Sequence, residues 1–203
     1  MENSVISASR NKLKSVWEKT AETVRSDKHK YEMIACLTAG ILFGCVTRAI
    51  YGNGGDWNGV LAGYCSGFAK ALLSVTPATV IFLACVFFCA PFRITRLLIY
   101  PGIVFRGMGF GALICGAVQC GSLRELCFSA LALQPFAAAS CVIAVYAGEY
   151  ALGLNEAFSG ENKGMTRSLL LHCAKMGAFY LLLSVLSCVI FAGTCRLFGL
   201  YLI

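Results

Sequence analysis

Three ionisable side chains, Arg106, Glu149 and Lys175, interrupt long apolar runs of this 203-residue chain. A lone charge deep in an apolar environment is costly, so each needs a counter-charge, a wet cavity or a route to the interface. Arg106 and Glu149 form the obvious pair, one on each of two consecutive apolar segments. A structural ion pair of this kind competes with an ion or proton pathway built from the same two residues. Lys175 lies close enough to a helix end for its ammonium to reach the interface along its own stem. Around Arg106 the glycines are dense: Gly102, Gly107, Gly109, Gly111 and Gly116. Gly107 and Gly111 have the G-x-x-x-G spacing, as do Gly40 with Gly44 and Gly63 with Gly67. Small residues one turn apart let helix backbones approach closely in lipid. The segment carrying Arg106 is therefore expected to be the central packed helix.

Other reactive side chains form no constellation. Of the 12 cysteines, Cys36, Cys45, Cys85, Cys89, Cys115, Cys141, Cys188 and Cys195 lie in or beside apolar runs, where cysteine acts as a small hydrophobe. No C-x-x-C pair occurs, and the two histidines, His29 and His172, complete no zinc spacing with them. H-E-x-x-H, G-x-S-x-G and P-loop motifs are missing from the sequence. The expectation is a non-enzyme with no catalytic residues, metal or cofactor.

The elements that must position Arg106 and Glu149 follow from composition. Apolar residues make up 58% of the chain and charged residues 13%, and the mean hydropathy is +0.74. A soluble domain carries roughly 25% charged residues, so the surface here is covered by something apolar, the lipid bilayer. Five stretches approach the roughly 20 apolar residues that a spanning helix needs. They run from about 33 to 51, 72 to 90, 97 to 118, 126 to 153 and 169 to 195, the last with an apolar continuation towards 203. Pro77, Pro101 and Pro135 are expected as kinks or helix-start positions. The fold class read from this pattern is all-α, a polytopic integral membrane protein of about five transmembrane helices.

Residues 1–32 read as a cytoplasmic amphipathic segment and 33–203 as the transmembrane helical domain. Leu13, Val16, Trp17 and Val24 recur at helical spacing among Lys12, Lys19 and Arg25. That suits either a helix on the membrane surface or a solvated helical tail. The polar start and the missing cleavage site argue against a cleavable signal peptide. Between the first two spans, Trp57, Val60, Leu61, Tyr64 and Phe68 share one helical face. This reads as an external interfacial or re-entrant helix, with a plain extension of the second span as the competing reading. Trp57, Tyr64 and Phe68 form a candidate external partner face.

The net charge of +7 does not indicate nucleic acid. Seven of the 17 basic residues precede Met33 and are interleaved with five acids, and no basic face with aromatics emerges. With the N-terminus inside, eleven basic residues fall on the cytoplasmic side and four, Arg48, Lys70, Arg124 and Arg196, outside. That distribution favours a cytoplasmic N-terminus and an external C-terminus in the cell membrane. A homo-oligomer is compatible with the glycine-rich faces.

The order of these features resembles the stage II sporulation protein M family of endospore-forming bacteria. The matching residues are Ala39-Gly-Ile-Leu-Phe-Gly44, the polar segment with Asn53-Gly54, and Ile103-Val-Phe-Arg-Gly-Met-Gly-Phe-Gly111. Phe128-Ser-Ala-Leu-Ala-Leu-Gln-Pro135 then precedes a long apolar helix ending in Glu149, and a last span closes the chain. The resemblance covers nearly everything from about Met33 onward, and its motifs are built mostly of glycine and apolar residues. Arg106 matches the family's basic position in the glycine-rich helix, whereas Phe136 stands where the family commonly has Asn or His. The resemblance implies a non-catalytic membrane scaffold that anchors a peptidoglycan-remodelling complex during forespore engulfment. Its partners would be cell-wall hydrolases of the stage II sporulation D and P type. The competing class is a small transporter or channel subunit that uses Arg106 and Glu149.

Overall fold

Apolar side chains occupy every face of the long segments, so no helix has a solvent face to turn outward. Helices of that kind pack by one stripe and give the rest to lipid. The computed structural model describes residues 29–51, 63–64, 67–92, 95–119, 122–159 and 167–202. They form helices and, among the described residues, no strand. The first helix, α1, is His29–Tyr51. It is followed by α2 (Phe68–Cys89), α3 (Thr95–Val118), α4 (Leu123–Phe128), a π-helical turn (Ser129–Leu133), α5 (Gln134–Ser159) and α6 (Arg167–Leu202).

Among the described residues, five helical stretches are long and apolar enough to cross a membrane: His29–Tyr51, Phe68–Cys89, Leu97–Val118, Leu123–Glu156 and Leu170–Leu200. The chain is an all-α polytopic membrane protein. Large apolar side chains such as Leu42, Phe43, Leu73, Phe88, Phe105, Leu182 and Ile190 point outward, as a lipid-facing surface requires. The sequence expectation for the amphipathic segment 1–32 lies almost wholly outside the described residues, as does Trp57.

The spans alternate in direction, and one end of the bundle holds the start of α1. At that near end Met33, Leu83, Val86, Phe87, Ile99, Ile103, Ala151 and Leu152 share one buried cluster. At the far end Ala71, Phe128, Leu133, Phe191, Ala192 and Cys195 form a second. Polar groups brace the near end. His29 Nε2 lies 3.1 Å from Glu156 Oε1 on α5, and the Tyr100 hydroxyl of α3 donates to Glu32 Oε2 on α1 at 2.7 Å. Buried Asn155 donates from its amide to the carbonyls of Ala90 at 3.0 Å and Phe92 at 2.6 Å. It thereby satisfies acceptors that a helix terminus leaves without intrahelical partners.

The fourth span is longer than the apolar run predicted, because it is capped and repaired locally. Ser122 accepts a hydrogen bond from the Glu125 backbone N–H at 3.2 Å, the first half of the S-x-x-E capping pattern. Farther on, Pro135 has no N–H to give to the carbonyl four residues back, and its ring crowds that carbonyl. The π-helical turn lies immediately before it, with the Gln134 N–H reaching back to the Ser129 carbonyl. Pro77 and Pro101, in contrast, lie inside α2 and α3.

Candidate intramembrane site around Arg106

The glycine-rich stretch of α3 divides into two faces, and each does something different. Positions 104, 107, 108 and 111 lie on one side of a helix, and positions 102, 106 and 109 on the other. The first side meets α1. A Cβ on Gly107 would lie 3.0 Å from the Ile41 nitrogen and 3.1 Å from the Gly40 Cα. One on Gly111 would lie 2.8 Å from the Ile41 carbonyl carbon and 3.0 Å from the Cys45 nitrogen. From the α1 side, a Cβ on Gly44 would come within 2.8 Å of the Met108 Cα and carbonyl carbon. Every obstructing atom is backbone and cannot rotate away. Cys45 Sγ donates across the same contact to the Gly111 carbonyl at 3.2 Å. Gly63 and Gly67 share the spacing, but a Cβ on either would meet nothing within 4 Å.

The second side of α3 carries the charge. Gly102 leaves room for the Phe82 ring, whose Cδ2 would be 3.3 Å from a Cβ there. One turn on, the Arg106 guanidinium lies over the Phe82 ring, with its central carbon 5.0 Å from the centroid. Arg106 Nη1 donates to Ser140 Oγ of α5 and to Thr79 Oγ1 of α2, the latter at 3.5 Å. Nη2 donates to the Ala78 carbonyl at 3.4 Å. Thr79 spends its own proton on the Val75 carbonyl at 3.0 Å, so its oxygen is left to accept from arginine. Cys141 Sγ donates to the Arg106 backbone carbonyl at 3.8 Å. The guanidinium is thus held by neutral acceptors and an aromatic face.

The Arg106–Glu149 ion pair expected from the sequence is not formed. Glu149 lies nine residues beyond Ser140 on α5, or roughly 13 Å along a helix. It lines a different cavity of about 470 Å³, together with Lys30, Tyr146, Tyr150 and His172. There the Lys30 ammonium lies 5.3 Å from the Tyr146 ring centroid, and the Tyr150 hydroxyl is hydrogen-bonded to His172 Nε2. The antiparallel pairing of α3 and α5 matches the depth of Arg106 with Ser140, which the sequence reading passed over. Lys175 is exposed.

Arg106 borders its own cavity of about 300 Å³, which extends along Gly109 and Leu113 of α3 towards the far end, where Tyr64 lines it. A Cβ on Gly109 would meet nothing within 4 Å, so this glycine opens the cavity and packs against no helix. Of the candidate external partner face, Tyr64 and Phe68 lie within the described residues. Both are half-buried against the far-end cluster, and the Tyr64 ring meets Phe191 edge-on at 5.4 Å. Burial pushes the Tyr64 phenol above its ordinary pKa, so it stays neutral at physiological pH. An extended Gly67 separates the Gly63–Tyr64 helical turn from α2, which rules out a plain extension of the second span.

Sequence reasoning missed Thr79, Ser140, Asn155, Glu32 and Glu156 as positioning groups. Asn155 and Glu156 were accessible to it, because a polar pair closing a long apolar run marks a span terminus. Thr79 and Ser140 carry no such signal, since single hydroxyls are common in membrane helices and usually bond their own backbone. Among the described residues, no group of three or more His, Cys, Asp or Glu side chains is placed to hold a metal ion. No protein-family model, curated protein or solved structure matches this chain.

Proposed function

We propose that this chain is a non-catalytic scaffold of the cell membrane that holds a partner complex, with its N-terminus in the cytoplasm. The observation that carries this reading is the backbone contact between α1 and α3 at Gly40, Gly44, Gly107 and Gly111. A frame locked by backbone atoms suits a protein that presents a fixed surface. Alternating access needs one set of helices to rock against another, and such a contact resists that motion. The eleven-to-four division of basic residues supports the orientation. It puts the far end, with Tyr64 and α4, outside.

The finer assignment rests on the sequence resemblance to the stage II sporulation protein M family. On that reading the scaffold anchors cell-wall hydrolases of the stage II sporulation D and P type during forespore engulfment. Affinity purification of the tagged chain from sporulating cells of its host should recover both hydrolases. Engulfment that proceeds normally after deletion of the gene would overturn the sporulation assignment.

A second reading, a small transporter or channel subunit, is favoured by one observation, the cavity beside the intramembrane Arg106. Solute flux in proteoliposomes that disappears with Arg106→Ala, while the variant inserts normally, would put this reading first. A variant whose only change is lower abundance would support a structural arginine.

A further inference from the structure

We propose that the cavity beside Arg106 binds a small monoanionic carboxylate with an apolar body, its carboxylate seated on the guanidinium. The inference goes beyond the scaffold reading and does not rest on it.

The charge is the first argument. A guanidinium has five N–H donors and no acceptor. Ser140, Thr79 and the Ala78 carbonyl take two donors from Nη1 and one from Nη2. Among the described residues, the Nε–H and one Nη2–H have no acceptor, and no carboxylate forms an ion pair with Arg106. In an apolar medium a donor without an acceptor is costly, and the charge itself has no counter-charge among the described residues. A carboxylate accepts two parallel N–H bonds from an arginine fork. One negative charge also leaves the pair neutral, whereas a dianion would leave a net charge buried.

Depth and size narrow the ligand further. Arg106 is eleven residues from the first residue of α3 and twelve from the last, so it lies roughly 16 Å from either helix end. A lipid phosphate at the interface does not reach that depth. The walls between Arg106 and Tyr64 are apolar, with Phe110, Leu113, Leu133, Phe136 and Phe191 lining about 300 Å³. That volume is at the lower end for small-molecule sites. A partner's transmembrane helix, with a diameter of roughly 10–12 Å, is too wide for it. The fitting ligand is therefore a short acyl or aryl carboxylate that enters from the far end past Tyr64.

The test uses the full chain in phosphatidylcholine nanodiscs with radiolabelled octanoate as the probe. Wild type should bind it saturably, with displacement by unlabelled octanoate. Octanol, which has the body without the charge, and acetate, which has the charge without the body, should displace poorly. Arg106→Gln should weaken binding by about tenfold or more, the loss expected for hydrogen bonds to a charged group. Gly109→Leu should weaken it comparably by filling the cavity. A Cβ at this position meets nothing within 4 Å, and melting curves without ligand check that both variants are folded. Uptake that never saturates, equal displacement by octanol, or unchanged affinity in a folded Arg106→Gln protein would each overturn the proposal. Co-purification with cell-wall hydrolases is a separate readout, so this site and the scaffold reading fail independently.

Discussion

Replacing Gly111 by alanine should destabilise the protein, while the same change at Gly109, two residues away, should not. A Cβ at Gly111 would lie 2.8 Å from the Ile41 carbonyl carbon, and closer still to its oxygen, where ordinary contact begins at 3.4 Å. To accept the methyl group, α1 and α3 must separate locally by at least 0.6 Å. A gap of that size forfeits roughly a quarter to a half of the dispersion energy of each contact it opens. It opens several, because Gly40 against Gly107 and Gly44 against Met108 belong to the same interface. Overpacking of this kind costs about 1–3 kcal/mol, partly offset by the roughly 0.8–1 kcal/mol that alanine gains over glycine as a helix former. At Gly109 only the helix-forming gain applies, since a Cβ there meets nothing within 4 Å. The two variants should therefore differ by about 1–3 kcal/mol in opposite directions from wild type. Reversible unfolding in mixed micelles, titrated with sodium dodecyl sulphate, measures the difference. Gly44→Ala combined with Gly111→Ala should cost less than the sum of the two, because one separation relieves both clashes. Alanine variants at 109 and 111 that agree within a few tenths of a kcal/mol would refute the reasoning.

Asn155→Leu should lower stability by about 1–3 kcal/mol, since it removes the amide's bonds to the carbonyls of Ala90 and Phe92 and strands the buried Ala90 oxygen; the same micelle titration reads it. Arg106→Met should stay folded with unchanged or higher stability, because its partners are neutral and lose no counter-charge. A steep loss of stability there would show that the guanidinium is a structural keystone. In a cysteine-free background, Lys70→Cys should react with a membrane-impermeant maleimide on intact cells, and Lys163→Cys only after permeabilisation. The opposite pattern would invert the proposed orientation.

The bundle was legible in the sequence because the bilayer imposes a simple rule. An unbroken apolar run of about 20 residues has to become a helix to satisfy its own backbone. All five spans were read correctly, with ends that differ because Ser122, His29 and Glu156 extend helices into polar flanks. The close approach of α3 to another helix was also readable, because four-residue glycine spacing is a local property. Pairing was not. Arg106 and Glu149 were matched as the charges of neighbouring spans, and the register of α3 against α5 sets Arg106 beside Ser140 instead. Tyr64 and Phe68 share a helical face in sequence, but whether that face turns outward depends on Phe191, more than a hundred residues away. The glycines show the division most clearly. Sequence alone determines that 107 and 111 share a side of α3 and that 102, 106 and 109 share the other. Only the tertiary structure decides that α1 closes on the first side and that a cavity opens on the second, because each outcome depends on which neighbour arrives there and at what depth.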